Sequence, residues 1–283
     1  MASKNYRRKP ITKRKSNATS KWIFFLISFV LFLFVAIGIY KFRDGFLYYL
    51  GFKTDKNVET LSKEERKLAD IRIYEVLHKH DDKAIGFDVS EYQSEIDWEQ
   101  TYHIDESFEL SFVFIRATAG KNKVDSRFKE NWKASKEREL IRGAYHYYRP
   151  NENSIEQAEN FIKTVKLQKG DLPPVLDIEK LPKSQSIDSL KVGLRRWLKK
   201  VEKHYKVKPI IYSGESYYTD FLKEEFSDYP LWIANYNFWR NHLEDDWLFW
   251  QFTEKAQIDG IEGMVDVNIF NGNKNKLLLK CIR

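Results

Sequence analysis

Hydrophobic and polar positions change rhythm twice along the chain. Residues 22–40, WIFFLISFVLFLFVAIGIY, form an apolar run of 19 positions without one charged side chain. That length matches the roughly 20 residues a helix needs to cross hydrocarbon, and an apolar surface on every face is unlike the single stripe of a surface helix. Residues 41–83 turn polar and charged, with Ser62-Lys-Glu-Glu65 forming a capping-box pattern that predicts a helix through about residue 78. From residue 84 onward short apolar runs rich in Val, Ile, Phe and Tyr recur, separated first by helical segments and later by loops.

Eight such runs are candidate strands: Ala84–Val89, Ser111–Ala117, Gly143–Tyr148, Pro174–Ile178, Lys208–Tyr212, Leu231–Asn235, Leu248–Thr253 and Val265–Ile269. Helical segments follow the first five. One opens on the capping-box pattern Ser154-Ile-Glu-Gln157, and another aligns Ile187, Leu190, Leu194, Trp197, Leu198 and Val201 on one stripe. Strand–helix alternation implies parallel pairing, because a parallel return needs a long crossover, and eight strands suffice to close a barrel. The expected fold is α/β: a TIM-like (β/α)5β3 barrel preceded by a single transmembrane helix and a short stalk. The expected organisation is a basic cytoplasmic tail at 1–21, a transmembrane signal anchor at 22–40, a stalk at 41–83 and a barrel at 84–283. An extra helix packed on the barrel is the alternative to the stalk, and a cleaved signal peptide the alternative to the anchor.

Composition sharpens this picture. At 42% hydrophobic and 31% charged, with 12 Gly and 7 Pro in 283 residues, the chain is neither collagen-like nor broadly disordered. A single cysteine, Cys281, excludes an internal disulfide framework and a cysteine-cluster zinc site. The formal charge of +7 would suggest a nucleic-acid partner if it were spread over a folded surface. Eight of the basic residues lie within residues 1–21, which hold no acid; removing those eight charges from +7 leaves −1 for residues 22–283. No nucleic-acid partner is therefore expected. The basic tail preceding the apolar run keeps the N-terminus cytoplasmic and the barrel extracytoplasmic, with a single-pass segment at 22–40 in the lipid bilayer of the cell membrane. A monomer is expected.

Active sites of such barrels lie at the carboxyl ends of the strands, and four acids fall there: Asp88 in GFDVS, Asp177 and Glu179 in VLDIE, and Asp266 in VDVN. Alternation puts Asp177 and Glu179 on one face, about 6.6 Å apart along the strand. Neighbouring carboxyls that repel and are partly desolvated can keep one protonated beside an anion, which suits glycosidic bond cleavage. Helix caps or partners of Arg116 and Arg149 are the structural alternative for these acids. Tyr92, Tyr145, His146, Tyr147, Tyr148, Tyr212, Trp232, Tyr236, Trp250 and Phe252 cluster at the same ends, offering rings to sugar C–H faces. Gln93, Asn235 and Gln251 could bind hydroxyl or acetamido groups. The expected substrate contacts are Tyr147, Tyr212, Trp232, Asn235, Tyr236 and Gln251. No HExxH, G-x-S-x-G, Walker loop or G-x-G-x-x-G occurs, so no metal or organic cofactor is expected.

The stretches GFDVSEYQSEIDW (86–98), FVFIRATAG (112–120), LPPVLDIE (172–179), YPLWIANY (229–236) and LFWQFTEKAQIDGIEGMVDVNIFNG (248–272), in this order and spacing, resemble glycoside hydrolase family 25, the lysozymes that cleave peptidoglycan. The resemblance implies a 1,4-β-N-acetylmuramidase acting on peptidoglycan glycan strands, between N-acetylmuramic acid and N-acetylglucosamine. It implies Glu179 as general acid, Asp177 as the anion that stabilises the substrate's acetamido group, Asp88 and Asp266 as supporting carboxylates, and Tyr147 as a residue close to the sugar. Where family members often read A-T-E-G, this chain reads Ala117-Thr118-Ala119-Gly120, a departure that bears on subsite binding. Hydrolysis assisted by the substrate's acetamido oxygen and an inverting route through a water held by Asp88 or Asp266 both remain open. So do a catalytically inactive peptidoglycan-binding module and a hydrolase of another N-acetylated glycan such as chitin.

Overall fold

A computed structural model describes Trp22 and residues 25–33, 61–105 and 107–283. The chain divides into two compact units, Met1–Thr54 and Asp55–Arg283. In the first, Trp22 and residues 25–33 are helical. The remainder of the 22–40 run, the basic tail and residues 41–60 lie outside the described residues. Among the described residues no helix is long and apolar enough to cross a membrane.

The second unit opens with helix α1 (Lys63–Lys79), which carries the expected capping box: Glu65 N–H donates to Ser62 Oγ, and Ser62 N–H to Glu65 Oε2. Its Ile73, Val76 and Leu77 are buried in the same core as the strands, and it packs against the barrel. The helix is thus docked on the barrel. The strands are β1 (Ile85–Val89), β2 (His103–Ile104), β3 (Phe108–Ala119), β4 (Lys123–Val124), β5 (Ile141–Tyr147), β6 (Val175–Asp177), β7 (Ile210–Gly214), β8 (Leu231–Ala234), β9 (Trp247–Ala256) and β10 (Val265–Phe270). Between them lie α2 (Phe128–Glu137), α3 (Ser154–Thr164), α4 (Ile187–Tyr205), and the short α5 (Glu215–Tyr217) and α6 (Lys223–Phe226); α7 (Lys274–Leu278) closes the chain.

Eight strands close on themselves in the order β1, β3, β5, β6, β7, β8, β9, β10, with β10 returning to β1. This corrects the expected TIM-like (β/α)5β3 barrel with its transmembrane helix. β10 runs antiparallel to both β9 and β1, since the short helix-free connection from β9 cannot make the crossover that a parallel return requires. The first connection also differs: two short 3₁₀ turns, Glu91–Gln93 and Trp98–Gln100, and strand β2 stand where a helix was expected. No spanning helix occurs among the described residues. The result is a closed mixed barrel of eight strands.

Alternation along each strand sorts the core into two layers. Phe112, Phe114, Val175, Ile210, Tyr212, Trp232, Phe249 and Phe270 form one buried cluster inside the barrel. Phe87, Val113, Ile115, Leu176, Ile211, Ile233, Trp250 and Val267 point outward to the helices. Gly86 and Gly143 leave room for the interior rings: a Cβ would come 2.3 Å from Phe112 O at Gly86 and 2.4 Å from the Phe114 ring at Gly143. α4 buries Leu190, Leu194, Trp197, Leu198 and Val201 as its stripe predicts. α3 is capped by Asn153, one residue earlier than expected, its Oδ1 accepting from the N–H groups of Ile155 and Glu156. Gln157 is then released to turn inward.

Candidate active site

The inward parity that fills the barrel floor with rings delivers polar groups to its mouth. On β1 the interior positions are Gly86 and Asp88; on β10 they are Asp266, Asn268 and Phe270. Asp88 and Asp266 are directly opposed in the β1–β10 register, which brings their Cα atoms to about 4.5–5.5 Å. Asp177 ends β6, flanked in register by Tyr147 on β5 and Tyr212 on β7. Ile178 continues that pairing through its N–H to Tyr212 O at 3.0 Å, so Glu179 emerges at the rim, half-buried, two residues beyond Asp177.

A chain of oriented hydrogen bonds holds this mouth. Asp88, 6% exposed, accepts at Oδ2 from Gln251 Nε2 at 2.7 Å and from Asn268 Nδ2 at 2.8 Å. Asn268 Oδ1 accepts from the Trp232 indole N–H at 2.8 Å. Gln251 Oε1 accepts from the Tyr212 hydroxyl at 2.7 Å and also from Tyr236. The Tyr212 hydroxyl lies 3.5 Å from Glu179 Oε1, a spacing at which the two oxygens flank a shared site rather than form a strong bond. Since a primary amide can accept through oxygen and donate through nitrogen at once, Gln251 couples two tyrosines to Asp88.

The electrostatics converge on the same point. Burial pushes the Tyr212 phenol well above its usual range, and the charges of Glu179, Asp177, Asp88 and Asp266 add to the effect. Tyr145 is raised in the same way, by burial first and then by Asp88, with Asp177 and Asp266 contributing and Arg116 opposing. Asp88, Asp177 and Asp266 thus act on both phenols and Glu179 on Tyr212 as well, so both phenols stay protonated and serve only as neutral donors or acceptors.

Not every expected contact faces the mouth. Trp232 is 2% exposed, stacked on Phe114 at 4.3 Å and set edgewise to Tyr212 at 4.5 Å; it supports the site from below. Asn235 holds the following loop, donating to Glu215 and accepting the Asn237 N–H at 2.8 Å. Tyr147 is half-buried at the rim, with Lys180 Nζ 5.7 Å from its ring centroid. Trp250, Phe252 and Tyr148 belong to the outer layer. His146 is also there, stacked on Trp197 at 5.5 Å. Asn268 was missed from sequence, although its spacing of two from Asp266 was the available signal. Arg116 does pair with an acid, but with Asp125 at 2.8 Å and Glu91 at 3.0 Å.

Residues 87–261 match the family described as glycosyl hydrolases family 25. The Escherichia coli K12 protein YegX is 43% identical over 196 residues, which cover 68% of this chain and 71% of that protein. Lysozyme M1 of Streptomyces globisporus is 32% identical over 208 residues, 68% of this chain and 69% of its own. Among solved structures, the bacterial lysozyme from Streptomyces coelicolor superposes with a TM-score of 0.63 at 28% identity, over 70% of this chain and 97% of that one. Sequence, fold and the acid-lined barrel mouth agree, and the chain belongs to glycosyl hydrolases family 25, as a glycoside hydrolase of the lysozyme and muramidase group.

Proposed function

We propose that the chain is a 1,4-β-N-acetylmuramidase that cleaves peptidoglycan between N-acetylmuramic acid and N-acetylglucosamine. The observation that carries this reading is the convergence of Asp88, Asp177 and Asp266 on Tyr145 and Tyr212, with Glu179 beside Tyr212, at the open end of the barrel. The similarity to Lysozyme M1 supports the choice of glycan. Peptidoglycan lies outside the cytoplasmic membrane, so the catalytic unit is assigned to that side.

Glu179, at the rim, is the general acid: its carboxyl proton passes to the glycosidic oxygen as the C–O bond breaks. The acetamido carbonyl oxygen of the same sugar attacks the anomeric carbon, forming a cyclic oxazolinium ion. Asp177, one strand pitch deeper, orients the acetamido N–H and offsets the positive charge of that ion. Water then adds to the anomeric carbon while the Glu179 carboxylate takes its proton, which restores the acid and retains the anomeric configuration. Asp88, fixed by two amide donors, and Asp266 beside it supply further negative potential where positive charge develops. The Tyr212 hydroxyl, held by Gln251, faces the acid across the site where the substrate oxygen would sit.

The test uses the full-length chain and its Glu179→Gln variant on purified peptidoglycan, with the new reducing ends identified by mass spectrometry and the first-formed anomer by NMR. N-acetylmuramic acid reducing ends of β configuration are expected from the wild type and almost none from the variant. Reducing ends on N-acetylglucosamine would overturn the bond assignment, and an initial α-anomer would overturn the acetamido-assisted route.

A further inference from the structure

The connection from β8 to β9 leaves the site at Tyr236 and immediately exposes two large rings. Phe238 is 45% exposed and Trp239 85%, packed edge to face on each other at 5.2 Å. Trp239 lies three positions after Tyr236, whose hydroxyl reaches Gln251 in the mouth, so its backbone stands at most about 11 Å farther along the chain. A tryptophan left in solvent at the lip of a glycan-cleaving site contributes little to the fold. Its flat face suits the C–H face of a pyranose ring.

The loop carrying it is held in shape. Trp239 N–H donates to Asn237 Oδ1 at 3.0 Å, and Arg240 N–H to Asn237 O at 3.0 Å. The Arg240 guanidinium reaches Glu215 at 3.1 Å and also pairs with Glu244. Arg72 of α1, only 7% exposed, also reaches the loop. It donates to Asn237 O at 2.8 Å and to Phe252 O, with Phe238 O at 3.4 Å from Nε. Burying a guanidinium is costly unless its donors are satisfied, and here backbone carbonyls of the loop and of β9 satisfy them. Nearby, Lys79 Nζ donates to Asn241 Oδ1 at 2.9 Å, and the His80 ring lies 3.1 Å from Asn241 O. α1 lies outside the residues that match the family, so this clamp is an addition to the matched region.

We propose that Trp239, backed by Phe238, is an outer sugar-binding platform for the glycan strand beyond the sugars held at the carboxylates, and that Arg72 is the positioning residue that fixes the platform. The inference rests on the peptidoglycan reading above. It is tested with the full-length chain on soluble glycan-strand fragments of graded length, comparing the KM of the shortest cleavable fragments with that of long ones. The wild type should favour long fragments, and Trp239→Ala should narrow that preference roughly two- to tenfold, the range of one aromatic contact. Trp239→Phe should restore part of the preference, while Arg72→Met should narrow it as Trp239→Ala does without lowering kcat on the shortest fragments. A length preference unaltered in Trp239→Ala would overturn the platform even with peptidoglycan cleavage intact. Should the wild type cleave no peptidoglycan, the functional reading itself fails. Binding of the same fragments, followed by titration calorimetry, then decides the platform: length-dependent binding lost in Trp239→Ala supports it, and binding unchanged overturns it.

Discussion

The floor and the mouth of the barrel are built from the same strands by the same inward parity, yet they are opposite environments. At the floor Phe112, Phe114, Phe249 and Phe270 are at most 1% exposed and meet one another at ring separations of 5.1–5.8 Å. At the mouth Asp88 and Asp177 are nearly as buried, at 6% and 5%, but their neighbours are amides, phenols and other carboxylates. Burying such charge is unfavourable without compensating donors. The floor contributes packing that the mouth lacks, and the mouth concentrates a negative potential that a uniformly apolar lumen could not generate. Stability and chemistry are thus separated by height within one lumen.

Breaking one side of this division should leave the other standing. The largest expected effect is on chemistry: Glu179→Gln should lower turnover on peptidoglycan by about 10²–10⁴-fold, the usual contribution of a general acid, with a thermal midpoint close to wild type. A variant that lost activity only in proportion to lost folded protein would remove Glu179 from the chemistry. Conversely, Phe114→Ala should destabilise by about 3–5 kcal/mol, because it removes a fully buried ring stacked on Trp232 and leaves a cavity. Denaturant melts would read that loss. Activity per folded molecule, measured well below the melting temperature, should fall far less than in Glu179→Gln; an equal fall would mean that floor and mouth are not separable.

Gln251→Ala probes the seam between them. It deletes the acceptor shared by Tyr212 and Tyr236 and one of two donors to Asp88. Losing these hydrogen bonds in a buried setting should cost about 1–3 kcal/mol of stability, and loosening Asp88 and Tyr212 should slow turnover roughly ten- to hundredfold. Tyr236→Phe removes only one of those bonds and should have the smaller effect on both readouts. If the two variants were indistinguishable, the amide would not be transmitting order from the tyrosines to Asp88.

Much of the lumen was legible in the sequence because strand parity is a local property. GFDVS, VLDIE and VDVN each display an acid two residues from another inward position, and all eight apolar runs became barrel strands. Height within the lumen is not local. Trp232 shares the parity of Tyr212, and only strand stagger in the closed sheet decides that its ring lies among the floor phenylalanines. The antiparallel return of β10 was hidden for a related reason: strand direction follows from the connection, and apolar runs are alike in both directions. α1 was legible as a helix, but the sequence left a stalk and a helix packed on the barrel both open, because the segment is mostly charged and one of its buried positions is Arg72. The partners of that guanidinium are carbonyls some 165–180 residues away, which no local pattern announces.

The outer layer, where no effect on catalysis is expected, lets the comparison be sharpened by pH. His146 shares β5 with the mouth residues Tyr145 and Tyr147 but points the opposite way, fully buried against Phe161 and Trp197. Its Nε2–H donates to Gln157 Oε1 at 3.1 Å, and its Nδ1 lies 2.7 Å from the Thr118 hydroxyl, so the neutral ring is satisfied on both sides. Burial lowers its pKa to about 3, with the Gln157 hydrogen bond opposing the shift and Arg149 adding to it. The unfolded chain takes up this proton below about pH 6.5 while the folded chain does not until about pH 3. Stability from this residue is therefore complete above pH 6.5 and falls as the pH drops toward 3, by about 1.4 kcal/mol per pH unit at most. Denaturant melts between pH 7 and pH 4 should show a steeper decline for wild type than for His146→Gln, which cannot titrate. Parallel declines would mean that the ring is protonated in the folded state, and that the outer layer, like the mouth, holds a buried charge.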